Sequence, residues 1–302
     1  MNWHKLGRVF APDGTKWWAR EYATLPTVLP LGGNMVRVYY ASLDNDKVGR
    51  IGFVELDIRT PDKILFESAE PCLNVGTDGT FDDCGVNPSC IIERDGNFWM
   101  YYVGWQRCER VPYMIFAGLA RSADGRVFER IQQTPILERT PAEPFLRSAT
   151  SILPDGNGFR MWYVSAASWI LVDGVQYPEY AIRTATSLDG VNWSEGQLCF
   201  SHEGGQEYGF GRPWVIRDDD RFRMWYSIRS RGAPYRIGYA ESGDGLKWTR
   251  KDSEAGIETS DSGWDSEMIC YSCVVDVNGG RYMFYNGNRH GQSGFGLAAL
   301  AK

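Results

Sequence analysis

The segments Phe159-Arg-Met-Trp-Tyr163 and Phe222-Arg-Met-Trp-Tyr226 are the same five residues, placed 63 positions apart. Three more segments share their large apolar residues and end in tyrosine: Met35-Val-Arg-Val-Tyr-Tyr40, Phe98-Trp-Met-Tyr-Tyr102 and Arg281-Tyr-Met-Phe-Tyr285. The five final tyrosines are separated by 62, 61, 63 and 59 residues. A repeat of this period predicts a molecule that is assembled from similar structural units.

A turn signal stands before each of the five segments, and another short apolar run precedes the turn. The turn signals are Gly32-Gly33, Asp95-Gly96, Asp155-Gly156, Asp218-Asp219-Asp220 and Asn278-Gly279-Gly280. An apolar run, a tight turn and an aromatic run rich in β-forming residues are typical of a β-hairpin. Each repeat is therefore expected to contain one hairpin ending near its tyrosine.

A second motif follows the hairpin in the three middle repeats. It comprises Ala120-Arg-Ser-Ala-Asp-Gly-Arg-Val-Phe128, Ala185-Thr-Ser-Leu-Asp-Gly-Val-Asn-Trp193 and Ala240-Glu-Ser-Gly-Asp-Gly-Leu-Lys-Trp248. Its Asp-Gly pair predicts a structural turn between a third and a fourth strand, with the last aromatic residue packing back into its own unit. Each unit then has four strands.

The repeat predicts an all-β fold, a five-bladed β-propeller with four antiparallel strands per blade. We expect one domain over residues 1–302, with blades at about 20–70, 83–137, 143–200, 207–257 and 264–300. No segment keeps a helical period over three turns. A β-sandwich with coincidental repeats is the alternative architecture.

Composition excludes several classes of protein. The chain has 302 residues, 43% hydrophobic and 23% charged, which is typical of a folded domain. Its net charge of −6 argues against binding to a nucleic-acid backbone, which requires a basic surface. No apolar run approaches the ~18 residues of a membrane span, and the N-terminus lacks the apolar stretch of a signal peptide. We therefore expect a cytoplasmic protein with no membrane partner.

The seven cysteines are an odd number with irregular spacing, so free thiols in a reducing compartment are expected. Cys270 and Cys273 would point to opposite faces of a strand, which disfavours a shared metal or redox site. The sequence has no glycine-rich phosphate loop between a strand and a helix, and no zinc-ligand spacing. No cofactor and no metal are expected.

With these features the chain resembles the glycoside hydrolase family 43-like superfamily, which includes families 32 and 62 and the family 130 phosphorylases. The resemblance is carried by the repeated Ser-x-Asp-Gly-x-x-Trp turns and by the closing Tyr285-Asn-Gly-Asn-Arg-His-Gly-Gln-Ser-Gly-Phe-Gly-Leu-Ala298. It extends from about residue 23 to residue 298. It implies a carbohydrate-active protein whose site lies at one mouth of the propeller axis.

The innermost strand of each blade would line the axis. Counting back from the turns selects one residue in each blade: Leu25, Asn87, Arg147, Arg212 and Tyr271. The resemblance implies an aspartate immediately before the proline of the first blade, and this chain has Leu25 there. The family 32 Arg-Asp-Pro motif has no match either, because Arg212 is followed directly by Pro213.

Acidic residues form a second column, four residues upstream of the first. Its members are Glu21, Asp83, Glu143, Tyr208 (with Glu207 beside it) and Glu267. Side chains four positions apart on a strand share a face, so several carboxylates are expected at one mouth. Glu267, with apolar neighbours that favour its protonated form, is the expected general acid; Asp83 and Glu21 are the other catalytic candidates. The alternative is a rim of solvated side chains.

Arg147 and Arg212 have two interpretations. They either pair with the carboxylates above them or bind an anion such as phosphate, a nucleotide diphosphate or a sugar carboxylate. The expected substrate-binding residues are Asn87, Trp105, Arg147, Trp169, Glu207, Arg212, Tyr271, Arg289 and His290, with Trp214 as a further aromatic platform.

The expected function is a carbohydrate-active enzyme acting on a glycosidic bond. One alternative is a phosphorylase or glycosyltransferase that uses a phosphorylated sugar, and another is a non-catalytic sugar-binding propeller. The expected partner is a small-molecule carbohydrate, with a phosphorylated or acidic sugar as one option.

Overall fold

The computed structural model describes residues 1–218 and 220–301, and β-strands make up nearly all of its regular structure. Asp219, in the fourth turn signal, and Lys302 lie outside the described residues. Two short helical segments occur in the described ranges, a 3-10 turn at Asp252–Glu254 and α1 at Asn288–Gly291. Within α1, Arg289 and His290 have φ angles of 54° and 59°, so this segment is a left-handed turn.

In the residues that the structure describes, twenty strands form five groups of four. Strand β1 (Trp3–Phe10) precedes the first group, which contains β2 (Glu21–Gly32), β3 (Met35–Leu43), β4 (Gly49–Asp57) and β5 (Ile64–Glu67). The second group contains β6 (Gly85–Arg94), β7 (Asn97–Arg107), β8 (Tyr113–Ser122) and β9 (Glu129–Arg130). The third contains β10 (Arg147–Asp155), β11 (Gly158–Val172), β12 (Val175–Ser187) and β13 (Gln197–Phe200). The fourth contains β14 (Glu207–Arg217), β15 (Phe222–Ser230), β16 (Ala233–Ser242) and β17 (Thr249–Arg250). The fifth contains β18 (Cys270–Val277), β19 (Gly280–Asn286), β20 (Phe295–Leu300) and, from the other end of the chain, β1.

Consecutive strands within each group pair antiparallel, and β1 pairs antiparallel with β20. The five repeated tyrosines lie in the second strands, β3, β7, β11, β15 and β19, so the hairpins expected from the repeat are confirmed. The first four groups follow one another through single parallel pairs at Gly49–Gly85, Phe116–Arg147 and Tyr180–Gly209.

The apolar core lies between the groups. One cluster joins the first and second groups, another the second and third, and another the third and fourth. The largest cluster contains Tyr40 of the first group, Trp225 of the fourth and Phe284 of the fifth, together with Trp3 of β1. Each group therefore needs its neighbours to bury its apolar faces.

The Ser-x-Asp-Gly motifs form turns, as expected, and these turns link neighbouring groups. In the turn after β12, the Ser187 hydroxyl accepts a hydrogen bond from the Gly190 amide at 2.8 Å. The Gly190 carbonyl then accepts the hydroxyl of Tyr101, in the second group, at 2.9 Å. The carbonyls of Gly125 and Gly245 accept hydrogen bonds in the same way from Tyr39 and Trp162, each in the preceding group.

The aromatic residue that ends each motif packs differently from the expectation. Its ring lies against the residue that holds the turn, at centroid distances of 5.7 Å for Phe128 and Tyr39, 6.4 Å for Trp193 and Tyr101, and 6.1 Å for Trp248 and Trp162. The clusters that contain these aromatic residues also hold residues of their own group, so the ring packs between its own unit and the preceding one, over which the turn extends.

All seven cysteines are free thiols. Within residues 1–218 and 220–301, no helix is both long enough and apolar enough to cross a membrane.

Candidate functional site

A cavity of about 360 Å³ is lined by residues from all five groups. Its aromatic lining consists of Trp105, Tyr113, Tyr180, Tyr235 and Tyr271. Its other polar side chains are Asn87, Arg107, Arg212 and Arg229. The volume falls in the ~300–1,000 Å³ range of small-molecule sites, and aromatic rings beside a few polar groups are typical of such sites.

Strained backbone forms part of the cavity wall. In β2, β10, β14 and β18 the pairing with the second strand is interrupted by a bulge. The first bulged residue has a positive φ in each case: 57° at Leu25, 54° at Ala149, 39° at Arg212 and 54° at Tyr271. All four line the cavity. Such conformations cost about 1–3 kcal/mol each and persist only where the surroundings hold them.

Hydrogen bonds from neighbouring strands hold two of these bulges. The Leu25 amide donates to Asn286 Oδ1 at 2.7 Å, and the Tyr271 amide donates to Ser227 Oγ at 2.9 Å. Both acceptor residues are fully buried. The wall is therefore built by contacts between groups as well as by the strands themselves.

The side chain of Arg212, in the fourth group, contacts the inner strands of three other groups at the cavity wall. Its guanidinium donates to the carbonyls of Tyr271 and Ser272 in the fifth group at 2.7 and 3.2 Å. It also donates to the Pro26 carbonyl at 3.0 Å and the Thr27 hydroxyl at 2.7 Å, and reaches the Ser89 carbonyl at 3.4 Å. Burial lowers its pKa. These acceptors are neutral, so the carboxylate pairing is not observed, whereas anion binding stays a prediction: Arg212 lines the cavity and its Nε has no acceptor in the described part of the chain.

Arg147 does not line the cavity. It is buried and forms an ion pair with Glu143 at 3.1 Å, and it also donates to the Tyr163 hydroxyl at 3.2 Å. Ala149 lines the cavity in the third group, two residues further along β10. The alignment that placed Arg147 in the axial column is wrong, because the bulge in β10 begins only after Ser148.

Arg229, near the end of β15, was not anticipated from the sequence. Its side chain is 2% exposed, and Nη1 donates to the Pro178 carbonyl at 2.9 Å. The guanidinium carbon lies 4.6 Å from the Tyr180 ring centroid, and three other tyrosine rings surround it. Those rings belong to Tyr208, Tyr177 and Tyr235, at 4.7, 5.6 and 5.9 Å. The only sequence signal is a charged residue at the end of an apolar strand.

The three proposed catalytic carboxylates lie outside the cavity lining. Glu267 is exposed, so the desolvation expected there is wrong; Trp264 and Met268 are half-buried and Ile269 is buried, but the glutamate side chain is exposed. Glu21 is half-buried and forms an ion pair with Lys47. Asp83 is half-buried, with Oδ2 accepting the Gly79 amide at 2.8 Å. Asp83 Oδ1 is buried and has no hydrogen-bond donor in the described part of the chain.

Two other members of the acidic column are held by arginines. Glu143 is 1% exposed and pairs with Arg147 and Arg183. Glu207 forms two hydrogen bonds of 2.9 Å with Arg250. Neither lines the cavity, and among the residues that the structure describes no aspartate or glutamate does. The expected convergence of carboxylates on the axis is therefore not observed.

A second cavity, of about 230 Å³, adjoins the first. It shares Leu25, Asn87, Trp105 and Tyr271 with the larger cavity and adds His290. The imidazole lies 4.6 Å from the Tyr235 ring and 6.1 Å from the Tyr271 ring. Burial and the positive charge of Arg229 lower the pKa of His290, so its imidazole is neutral at pH 7.

The remaining residues predicted to bind substrate differ in their position relative to the two cavities. The Trp105 indole lies against Gly85, where an added Cβ would come within 2.1 Å of it. Trp169 stands behind the wall, with its ring 6.0 Å from that of Tyr113. The Trp214 indole is buried and donates to the Val274 carbonyl at 2.7 Å. Arg289 is exposed and lines neither cavity.

Comparison with known proteins finds relatives with a similar sequence and solved structures with a similar fold. The chain is 39% identical over 301 residues to the uncharacterized protein Rv1502 of Mycobacterium tuberculosis (strain ATCC 25618 / H37Rv), covering 99% of both chains. It matches the uncharacterized protein MT1551 of strain CDC 1551 / Oshkosh with the same identity and coverage. No family model matches the chain.

Many solved structures share the fold, and three are representative. One described as a glycoside hydrolase has a TM-score of 0.77 at 21% identity, covering 99% of this chain and 92% of the other. A thermostable family-43 glycoside hydrolase has a TM-score of 0.71 at 16% identity, covering 95% and 92%. A structure from work on glycoside hydrolases among the family 130 mannoside phosphorylases has a TM-score of 0.73 at 15% identity, covering 99% and 93%.

Proposed function

Because the chain belongs to the family of the Mycobacterium tuberculosis protein Rv1502 and has a β-propeller-like glycoside hydrolase fold, we propose that it is a carbohydrate-active enzyme acting on a glycosidic bond. The observation that carries the proposal is the cavity lined by all five strand groups, with aromatic rings beside polar groups. Sugar rings stack on aromatic faces while polar side chains hold their hydroxyls.

We also propose that the five groups are blades of one closed propeller over residues 1–302. Two observations support closure. The largest apolar cluster contains residues of the fourth, fifth and first groups, and β1 completes the fifth group from the other end of the chain. Arg212 of the fourth group bonds to the inner strands of the fifth, first and second groups. Such contacts are expected where the inner strands of different blades meet around a central axis.

We assign proton transfer to His290 and Asp83. Cleavage of a glycosidic bond needs a group that protonates the leaving oxygen and one that activates the attacking molecule. A neutral imidazole in the cavity wall can accept a proton from water or phosphate. Asp83 precedes the strand that carries Asn87 of the cavity wall, and its buried Oδ1 has no hydrogen-bond donor in the described part of the chain. Glu21, near the second cavity through Tyr22, is the remaining acidic candidate.

Two alternatives have support from specific observations. The arginines in the cavity wall favour an anionic co-substrate, as in phosphorolysis or in transfer from a phosphorylated sugar. The lining of the cavity, with no carboxylate among the residues described, favours a sugar-binding protein without hydrolytic activity. Turnover with and without phosphate separates these functions.

The test is a panel of 4-nitrophenyl glycosides, neutral and uronic, assayed in the presence and absence of 10 mM phosphate (roughly the concentration needed to saturate a weak site). Asp83→Asn and His290→Gln should each lower kcat by roughly 100-fold or more, the usual size of a proton-transfer contribution. Since the pKa of His290 is lowered, wild-type activity should hold at neutral pH and fall only as the imidazole becomes protonated at acidic pH.

Glu267→Gln is the matched control, because this carboxylate is exposed, whereas Asp83 is half-buried and has a buried oxygen without a donor in the described part of the chain. A 100-fold loss in this variant would move the acid role from Asp83 back to Glu267. If the protein binds sugars but turns over no glycoside, with or without phosphate, it is a sugar-binding protein and not an enzyme.

A further inference from the structure

Arg229 is a buried cation without a counter-charge. Across residues 1–218 and 220–301, no carboxylate lies within ion-pairing distance of it, and its Nε has no hydrogen-bond acceptor. Its one hydrogen bond in the structure goes from Nη1 to the Pro178 carbonyl. A guanidinium has five N–H donors, so most of its hydrogen-bonding capacity is unused.

The surrounding tyrosines account for only part of the stabilisation of this charge. Cation–π contacts stabilise a desolvated guanidinium by less than the free energy that burial of an unpaired ion costs. Tyr180 and Tyr235, whose rings face Arg229, have pKa values raised by burial, so both stay neutral. These contacts leave the charge uncompensated and the Nε edge free.

The neighbouring side chains of the cavity wall do not supply a negative charge. Arg107 and Arg212 line the same cavity, and His290 next to it is neutral. The carboxylates of the column expected at the mouth, such as Glu143 and Glu207, are engaged by other arginines. A cavity with three guanidiniums and, in the described part of the chain, no lining carboxylate favours an anion.

We propose that Arg229 binds the anionic group of an acidic sugar, a carboxylate or a phosphoryl group, through the guanidinium donors that the described part of the protein leaves unpaired. This inference rests on the proposed carbohydrate function and specifies its substrate class. The anion supplies the missing counter-charge and a planar pair of acceptor oxygens that matches the guanidinium. The sugar ring then lies among Tyr180, Tyr235 and Tyr271, within reach of Asn87.

Calorimetric titration tests the inference with glucuronate and galacturonate, their neutral parents glucose and galactose, glucose 1-phosphate, and inorganic phosphate alone. The wild type should bind at least one acidic sugar about tenfold or more tightly than its neutral parent. Arg229→Gln should remove this preference while leaving the affinity for the neutral sugar within about threefold. The uronates and the sugar phosphate identify which anionic group is preferred.

Arg231→Gln is the matched control, because it removes the same charge from an exposed side chain next to β15. It should keep the preference. Arg229→Lys keeps the charge but not the planar fork, and should retain only part of the preference. If Arg229→Gln does not fold, the wild type still decides: its preference for the acidic sugar should weaken between 0.05 and 0.5 M salt, a range over which the Debye length shortens about threefold, while neutral binding does not change.

Equal affinity of the wild type for acidic and neutral sugars would overturn this inference and leave the proposed function standing. Binding of inorganic phosphate alone, with no preference among sugars, would overturn it in favour of a phosphate co-substrate. Failure to bind any sugar would overturn the proposed function itself.

Discussion

Each of the five repeated tyrosines donates its hydroxyl to a carboxylate, and each carboxylate contacts a lysine or arginine. The pairs are Tyr40 with Glu67, Tyr102 with Asp82, Tyr163 with Glu143, Tyr226 with Asp252 and Tyr285 with Asp265. The cations are Lys16, Arg130, Arg147, Arg250 and Lys5. At the scale of single residues, then, the acidic side chains near the inner strands mostly tie loops and strands together.

The Glu143 contact gives a measurable prediction. Burial, and next the negative charge of Glu143, raise the pKa of Tyr163, so its hydroxyl remains a donor to the carboxylate. Glu143→Gln leaves Arg147 buried without its counter-charge and should lower the free energy of unfolding by about 3 kcal/mol. Denaturant unfolding measures this loss. Glu138→Gln, an exposed side chain five residues earlier, should change stability by less than about 0.5 kcal/mol.

At the scale of elements, the Ser-x-Asp-Gly turns act between strand groups. In the turn after β12, Asp189 accepts the amides of Val191 and Asn192, and these hydrogen bonds lower its pKa. The carbonyl of Gly190, whose φ is 71°, is thereby directed at Tyr101 of the preceding group. A local turn motif is thus converted into a contact between two groups.

Tyr101→Phe isolates that contact. The ring and its packing remain, but the buried Gly190 carbonyl loses its donor, which should cost about 1–2 kcal/mol. Hydrogen exchange should become faster in the turn at residues 187–193, while β17 at the far end of the next group keeps its protection. Tyr282→Phe is the control, since its hydroxyl makes no hydrogen bond within the described ranges. Equal losses in the two variants would argue against a role for the Tyr101 hydroxyl.

At the scale of the whole molecule, the two ends of the chain meet in the fifth group. Strand β1 pairs with β20, and its Trp3 donates from Nε1 to the Ala255 carbonyl at 3.1 Å. The Trp3 indole also lies 6.0 Å from that of Trp225 in the fourth group. This one side chain therefore joins the beginning of the chain to the fourth and fifth groups.

Trp3→Ala should consequently affect the stability of the entire protein. Removal of a buried indole typically costs about 3–5 kcal/mol, and in a closed assembly the loss should appear as one shifted transition. Fluorescence and circular dichroism would follow that transition during urea unfolding. His4→Ala, an exposed neighbour on the same strand, should leave the midpoint unchanged. Separate transitions in the Trp3 variant would indicate that the groups unfold independently and that closure is weak.

The sequence by itself determined the strands, the hairpins and the Asp-Gly turns. These features depend on short-range rules: the aromatic β-forming runs ending at Tyr40, Tyr102, Tyr163, Tyr226 and Tyr285, and turn residues at fixed offsets. Counting along the repeat also selected Leu25, Asn87, Arg212 and Tyr271, which do line the cavity. Where the number of residues between turn and cavity is constant, counting from the turn locates the cavity-lining residue of each group correctly.

Which charged side chains lack an oppositely charged partner is visible only in the folded structure. The bulge in β10 placed Ala149 at the cavity and Arg147 behind it, and a period of two residues contains no information about bulges. Whether a carboxylate is paired depends on partners far along the chain, such as Arg250 for Glu207 or Lys47 for Glu21. The lack of a carboxylate partner at Arg229, in the described part of the chain, has the same cause. Its tyrosine neighbours come from two groups, and only folding brings them together around one guanidinium.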